Sequence, residues 1–289
     1  MEFRTIVDVE DPGFRIEPCE EMLFVGSCFA DHIGRRFQEE KFRTVVNPYG
    51  VMYNPASILH TIERLSNGIQ PSPSEVQLDL QSSWIDLADL KSAFLTLGTN
   101  HIYRLKETGE IVDNCQKRPQ SLFTEEELSI DECAEYLKRS IDILRQHNPN
   151  IHVVLTVSPI RYRKYGYHGS QLSKATLLLA VKKVIDQRGS EHVAYFPAYE
   201  IVNDELRDYR FYAEDMLHPS SQAVEYIWQR LSETYFSKET KEFLREWSPL
   251  KAALNHKPFN KESKEYKTFI DKTMLKIAEL QKKYPTFAL

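Results

Sequence analysis

An α/β domain with a mostly parallel sheet covered on both faces is the fold class this sequence predicts, and three observations predict it. Short apolar runs alternate with stretches whose apolar residues recur at helical spacing. Several runs end in turn-forming or small polar residues, as strands do when they hand over to a helix across a sheet edge. The last fifty or so residues break this alternation and carry little β-branched content, which reads as helix. Strands alternating with helices favour parallel pairing and a doubly wound sheet.

Taken in order, residues 21–26 (EMLFVG) form a short buried strand ending at Gly26. In the following SCFADHIGRRFQEE, Phe29, Ile33 and Phe37 lie on one helical face. A second strand, FRTVV (42–46), ends at the turn NPYG (47–50). Asn54-Pro55 places a capping residue before a proline suited to a first helical position, and opens NPASILHTIERL. Residues 67–83 read as a loop, and AFLTLG (93–98) as the third strand. The stretch HIYRLKETGEIVDN reads as a hairpin turning at Thr108-Gly109. Ser129 and Glu132 make a capping box for a helix running to about Gln146. The strand IHVVLTVS (151–158), a helix over about 171–188 and the strand HVAYFP (192–197) follow. A helix beginning near Pro219 carries Val224, Ile227, Trp228 and Leu231 on one face. Residues 1–237 are therefore expected to form the α/β domain and 238–289 a helical extension.

Composition bounds the function. A formal charge of −5 and a pI near 6.0 argue against a nucleic-acid partner. The N-terminal MEFRTIVDVEDPGFRIEP has acids among its apolar residues and does not read as a signal peptide. No window reaches the roughly 18 apolar residues of a membrane span, so no membrane partner is expected. Four cysteines, none in CxxC spacing, do not make a disulfide framework, and a cytoplasmic location is the expectation. A homo-oligomer contact through the helical tail is compatible with these features.

In open α/β sheets, ligands bind outside the carboxyl ends of the strands. Gly26-Ser27-Cys28, Asn47 to Gly50, Gly98-Thr99-Asn100 and Ser158 to Arg161 all fall there, and Asp215 to His218 lies beyond the fifth strand. Ser27 follows a strand and a glycine and precedes a helix, so its hydroxyl can project from the edge beside unpaired N–H groups. The same position suits a mere helix cap. Asp215 and His218, three residues apart, can share a pocket, the carboxylate orienting the imidazole that deprotonates serine. The alternative makes Asp215 a cap and His218 a surface residue.

The run Gly26-Ser27-Cys28-Phe29-Ala30 resembles the GSCFA family, itself similar to the SGNH hydrolases. NPYGVMYNPASI (47–58), TLGT (96–99), NCQKRP (114–119), SPIRYR (158–163), QLSKATLL (171–178) and YFPAYEIVNDELRDYRFYAEDMLHPS (195–220) extend the resemblance over roughly 20–235. It implies a flavodoxin-like three-layer fold and a serine esterase that cleaves or transfers an ester-linked acyl group, often on a carbohydrate. Ser27 is then the nucleophile and Asp215 and His218 its partners. Three departures alter polar positions: a short WIDLADLKSA before TLGT, NCQK for the usual NCHK, and tyrosines at 162 and 165 where histidine and aspartate are common. A non-catalytic glycan- or protein-binding descendant is the second reading.

A third reading, a Cys28–His hydrolase or a metal site from Cys28, His32 and His218, lacks zinc-ligand spacing; no metal and no cofactor are expected. Cys28 is expected to be buried and unreactive. For the oxyanion, the expected donors are the Ser27 N–H, Gly50 at the end of strand two, and Asn100, whose Gly-x-Asn spacing resembles the superfamily's. Asn54 is the rival to Asn100.

Overall fold

The computed structural model describes residues 3–72, 86–113, 115, 118–189, 192–260 and 262–287. Most of the loop expected at 67–83 and the end of the expected hairpin, at residue 114, lie outside them. The elements are β1 (Glu21–Gly26), α1 (Cys28–Glu39), β2 (Arg43–Val46), α2 (Pro55–Ser66), β3 (Ser92–Leu97), β4 (His101–Leu105), β5 (Ile111–Val112), β6 (Phe123–Glu127), α3 (Ile130–His147), β7 (His152–Val157), α4 (Gly166–Arg188), β8 (Val193–Tyr195), the short α5 (Ala198–Glu200), α6 (Ser221–Tyr235), α7 (Lys238–Leu254) and α8 (Lys264–Lys283).

Five strands pair in parallel in the order β2-β1-β3-β7-β8. The order reverses between β1 and β3, which makes that gap the switch point where a doubly wound sheet opens a crevice. Side chains alternate across the sheet as the two-residue period requires. Leu23, Val25, Leu95 and Leu155 face one side and pack on Ile58 and Ile62 of α2, Leu137 of α3 and Leu177 of α4. Met22, Phe24, Phe94 and Val154 face the other and meet Phe29 and Phe37 of α1 and Ile227 and Trp228 of α6. The fold is therefore three-layered, and the apolar runs are unbroken because both faces are covered.

The hairpin expected at 101–114 is β4 and β5, but a third strand, β6, joins β4 on its other edge, giving the antiparallel order β5-β4-β6. Its sequence FTEEE is too acidic to read as a strand, and its four polar residues lie outside the core while Phe123 is buried. The helix expected from 171 begins five residues earlier, at Gly166, whose φ of +67° suits glycine. After α5 the chain continues as a π-helix over Ile201–Leu206 that stops at Arg207 in the left-handed conformation. Sequence periodicity does not register such a turn, because it shifts the helical phase by one residue.

Beyond α6, Ser237 caps α7 by accepting from the Thr240 N–H at 3.0 Å. Phe243, Trp247 and Leu250 of α7 pack with Ile277 and Leu280 of α8 and with Phe287 and Cys19 as a small core of their own. No helix among the described residues is long and apolar enough to cross a membrane.

Candidate active site

The end of β1 has one backbone solution. Gly26 sits at φ +146°, and a Cβ there would drive into the Thr96 carbonyl of β3. Only glycine fits, so the strand turns tightly and delivers Ser27 to the first position before α1. Ser27 is fully buried and caps the helix, its hydroxyl accepting from the Phe29 N–H at 3.3 Å. Its own N–H donates to the Thr96 carbonyl at 3.1 Å. That corrects the expectation that this N–H serves an oxyanion, since the sheet uses it. The next amide, that of Cys28, opens the helix and has no intrahelical acceptor.

The segment after β2 wraps over this turn. Asn47 Oδ1 accepts from the Gly26 N–H at 2.9 Å, and the Met52 N–H donates to the Gly26 carbonyl at 2.9 Å. Gly50 was the second expected oxyanion donor, but its N–H closes the 47–50 turn on the Asn47 carbonyl at 2.8 Å. Asn54 caps α2, its Oδ1 accepting from the Ser57 N–H at 2.9 Å.

The loop after β3 supplies the opposite wall. A Cβ on Gly98 would lie 3.4 Å from Ser27 Cβ and 2.9 Å from the Tyr53 carbonyl, and would collide with the Tyr162 hydroxyl. Gly98 thus keeps this corner open enough for Tyr162 to reach it. Asn100 does not face it as a donor: its side-chain nitrogen donates to the Leu128 carbonyl at 2.8 Å, tying the loop to the start of α3. The expected Gly-x-Asn match is thus drawn toward the backbone of Leu128, one of its two amide N–H donors being used there.

Two residues of α4 whose role no local sequence signal marks hold this loop. Ser173 Oγ accepts from the Asn100 N–H at 3.0 Å, and Lys174 Nζ donates to the Gly98 carbonyl at 2.6 Å. Lys174 is buried, and desolvation of its ammonium lowers its pKa to about 7. Tyr162 has a solvent-shielded hydroxyl with no hydrogen-bond partner among the described residues. Burial raises its pKa well above the ordinary phenol value, so it stays a donor.

Asp215 and His218 form a pair in the turn between Tyr212 and Pro219, which are bridged to each other. His218 Nδ1 lies 2.5 Å from Asp215 Oδ2, while Asp215 Oδ1 accepts from the Leu217 and His218 N–H groups at 2.9 and 3.0 Å. The backbone bond from His218 leads those from Leu217 and the imidazole in holding the Asp215 carboxyl down to about 2. With a carboxylate on Nδ1, the tautomer assigned by this network leaves Nε2 free to accept a proton. His32 of α1 lies near enough for the His218 charge to act on it, though burial is the larger cause of its lowered pKa. No hydrogen bond joins Ser27 to His218 among the described residues, and Ser27 Oγ faces the Phe29 N–H instead. Cys28 was expected to be buried; it is half-buried, with Sγ 3.6 Å from the Tyr53 hydroxyl. No group of three or more His, Cys, Asp or Glu among the described residues is arranged to hold a metal ion.

A serine at the first strand's carboxyl end and an Asp–His pair beyond the last strand thus sit on a five-stranded parallel sheet between helical layers. The chain belongs to the GSCFA family, which it matches over residues 21–89 and 74–231, and its residues 247–289 match the GSCFA domain protein, C-terminal domain. No curated protein matches it in sequence. Among solved structures it is similar to a carbohydrate esterase family 3 protein from Talaromyces cellulolyticus, at 10% identity and a TM-score of 0.42, covering 78% of this chain and 98% of that one. A family 3 carbohydrate esterase from Clostridium thermocellum is similar at 13% identity and a TM-score of 0.39, covering 78% and 97%.

Proposed function

We propose that this chain is a serine esterase of SGNH type that cleaves or transfers an ester-linked acyl group on a carbohydrate. The observation that carries the reading is the Asp215–His218 pair, bonded at 2.5 Å with Nε2 unused, on the same sheet edge as a glycine-presented serine. In this reading Ser27 Oγ rotates away from the Phe29 N–H and attacks the ester carbonyl carbon while His218 Nε2 takes its proton. The C–O bond to the alcohol then breaks, the alcohol leaves with the proton from His218, and water or a second alcohol releases the acyl group. Among the donors left unspent at this corner, the Cys28 N–H and the Tyr162 hydroxyl take the oxyanion role in place of Gly50, Asn100 and the Ser27 N–H, and the unpartnered Asn47 Nδ2 lies beside the same turn. Asn54 keeps its amide nitrogen for a substrate oxygen, since only its oxygen is used in capping.

One observation favours the second reading, a non-catalytic binding protein: Ser27 is fully buried and already serves as a helix cap. A panel of chromogenic acyl esters with Ser27→Ala as control separates the two. As an esterase, the wild-type chain turns over at least one ester, and Ser27→Ala lowers kcat by several orders of magnitude, toward the roughly 10⁶-fold seen for lost serine nucleophiles. As a helix cap alone, Ser27→Ala costs about 1 kcal/mol of stability and changes no turnover.

A further inference from the structure

We infer that the alcohol half of the substrate is a saccharide carrying an anionic group, a carboxylate or a phosphate, which Arg161 binds in a cleft beside the Asp215–His218 turn. The inference rests on the esterase reading and deepens it by naming the substrate class. Arg161 follows β7 and is fastened to that turn twice: its N–H donates to the Leu217 carbonyl at 3.1 Å, and its guanidinium donates to the Met216 carbonyl at 3.1 Å. A ligand held by Arg161 is therefore held next to the imidazole that serves Ser27.

The cleft has a volume of about 230 Å³, close to the space a monosaccharide occupies, and Arg161, Gln171, Asn203, Tyr209 and Tyr212 line it. Among the described residues, Arg161 has no carboxylate within 4 Å. It is surrounded by the rings of Tyr167, Tyr212 and Tyr209, at 4.2, 5.3 and 6.0 Å from their centroids. The other charges of the cleft have opposite charges nearby: Arg207 stands 3.6 Å from Asp204, and Asp208 stands 4.0 Å from the Arg210 guanidinium. Among the described residues that line the cleft, Arg161 is the cation without a carboxylate partner, and a guanidinium fork suits a carboxylate or phosphate. Tyr209, 69% exposed, lines the cleft, and Tyr167, 49% exposed, lies against the Arg161 guanidinium; both offer apolar ring faces to solvent. Such rings stack against the C–H face of a sugar; Gln171 keeps its amide nitrogen for a hydroxyl, its oxygen accepting from the Tyr199 hydroxyl, and Asn203 keeps its amide oxygen, its nitrogen donating to the Tyr199 carbonyl at 2.8 Å.

The test measures binding rather than turnover. Full-length Ser27→Ala protein is titrated with glucose, glucuronate and glucose 6-phosphate by NMR, at low and at high salt. One or both acidic sugars are expected to bind at least tenfold more tightly than glucose, with the difference shrinking in salt. Adding Arg161→Met should abolish the preference, and Arg161→Lys should keep part of it. Because Arg161 also holds the turn, Tyr209→Ala is the second variant, and it should weaken every sugar several-fold with the acidic preference intact. Equal binding of acidic and neutral sugars, or a preference that survives Arg161→Met, overturns the inference. An acidic preference in a protein that turns over no ester leaves the cleft standing and rejects the esterase. Turnover of neutral sugar esters by the wild type without any acidic preference does the reverse.

Discussion

At Gly26 one hydrogen atom decides whether the site exists. Its φ of +146° is open to glycine, and any Cβ would overlap the Thr96 carbonyl to which Ser27 is also bonded. Gly26→Ala should therefore lose about 3 kcal/mol or more of stability, read as a lowered midpoint in urea at unchanged slope. A loss below about 1 kcal/mol would mean that the strand end relaxes freely. Asp215 gives a second expectation. Its carboxyl is held down to about 2, chiefly by the His218 N–H, so it stays charged throughout the range in which the protein would be assayed. A histidine base accepts a proton only when neutral, so esterase rates should rise with pH and fall on the acid side. Asp215, already charged, contributes nothing to that acid limb. Asp215→Asn should lower kcat less than His218→Ala, because it removes orientation and charge rather than the base; equal losses would make the carboxylate a direct participant.

Among the elements, α4 does the most that its sequence does not announce. It crosses under the loop after β3 and anchors it through Ser173 and Lys174. The Lys174 side chain pays a desolvation cost, and the sign of the resulting pH dependence follows. Between about 7 and the ordinary 10.5, the unfolded chain carries a proton that the native state lacks, so stability from this group rises with pH across that window. The free energy of unfolding of the wild type minus that of Lys174→Met should rise by at most about 1.4 kcal/mol per pH unit between 7 and 10. Burial also lifts the Glu20 carboxyl to about 7, which acts in the opposite sense at lower pH, but that group is common to both proteins and cancels. A difference that is flat with pH would mean that Lys174 is charged in the native protein. The same variant should slow ester turnover, since it frees the Gly98 carbonyl and the loop beside Ser27.

Over the whole molecule, the strand order sets where chemistry can occur. Reversal between β1 and β3 sets Gly26 against Thr96 and Gly98 against Ser27, while the crossover to β8 carries the chain round to the Asp215–His218 turn. We propose that residues 238–289 are a separate helical unit, docked on the sheet domain through the 3.3 Å bond from Trp247 Nε1 to the Glu39 carbonyl and the 2.7 Å bond from Thr240 Oγ1 to the Ile16 carbonyl. Trp247 fills the centre of its core at 1% exposure. Trp247→Ala should cost about 3–5 kcal/mol against denaturant while leaving the kinetics of the folded protein unchanged. A parallel loss of kcat would show the two units to be one.

Much of this architecture was legible in the chain itself. Apolar runs of strand length, helical spacing of Phe29, Ile33 and Phe37, the Ser129–Glu132 capping box and the glycine before Ser27 are local signals, and local signals specify elements. They also placed Ser27, Asn100 and the Asp215–His218 pair at strand ends or in the loop beyond, where ligands bind. What they could not decide was which donors remain unspent. The Ser27 N–H, Gly50 and Asn100 looked available because sequence shows capacity for hydrogen bonding and not its use. Gly50 is consumed only three residues away, but Asn100 is consumed across 28 residues and the Gly98 carbonyl across 76. Tyr162, Lys174 and Arg161 acquire their places the same way, by packing against segments far along the chain. Element type follows from neighbours in sequence, whereas the partner of a buried polar group is chosen by whatever the folded sheet brings within 3 Å.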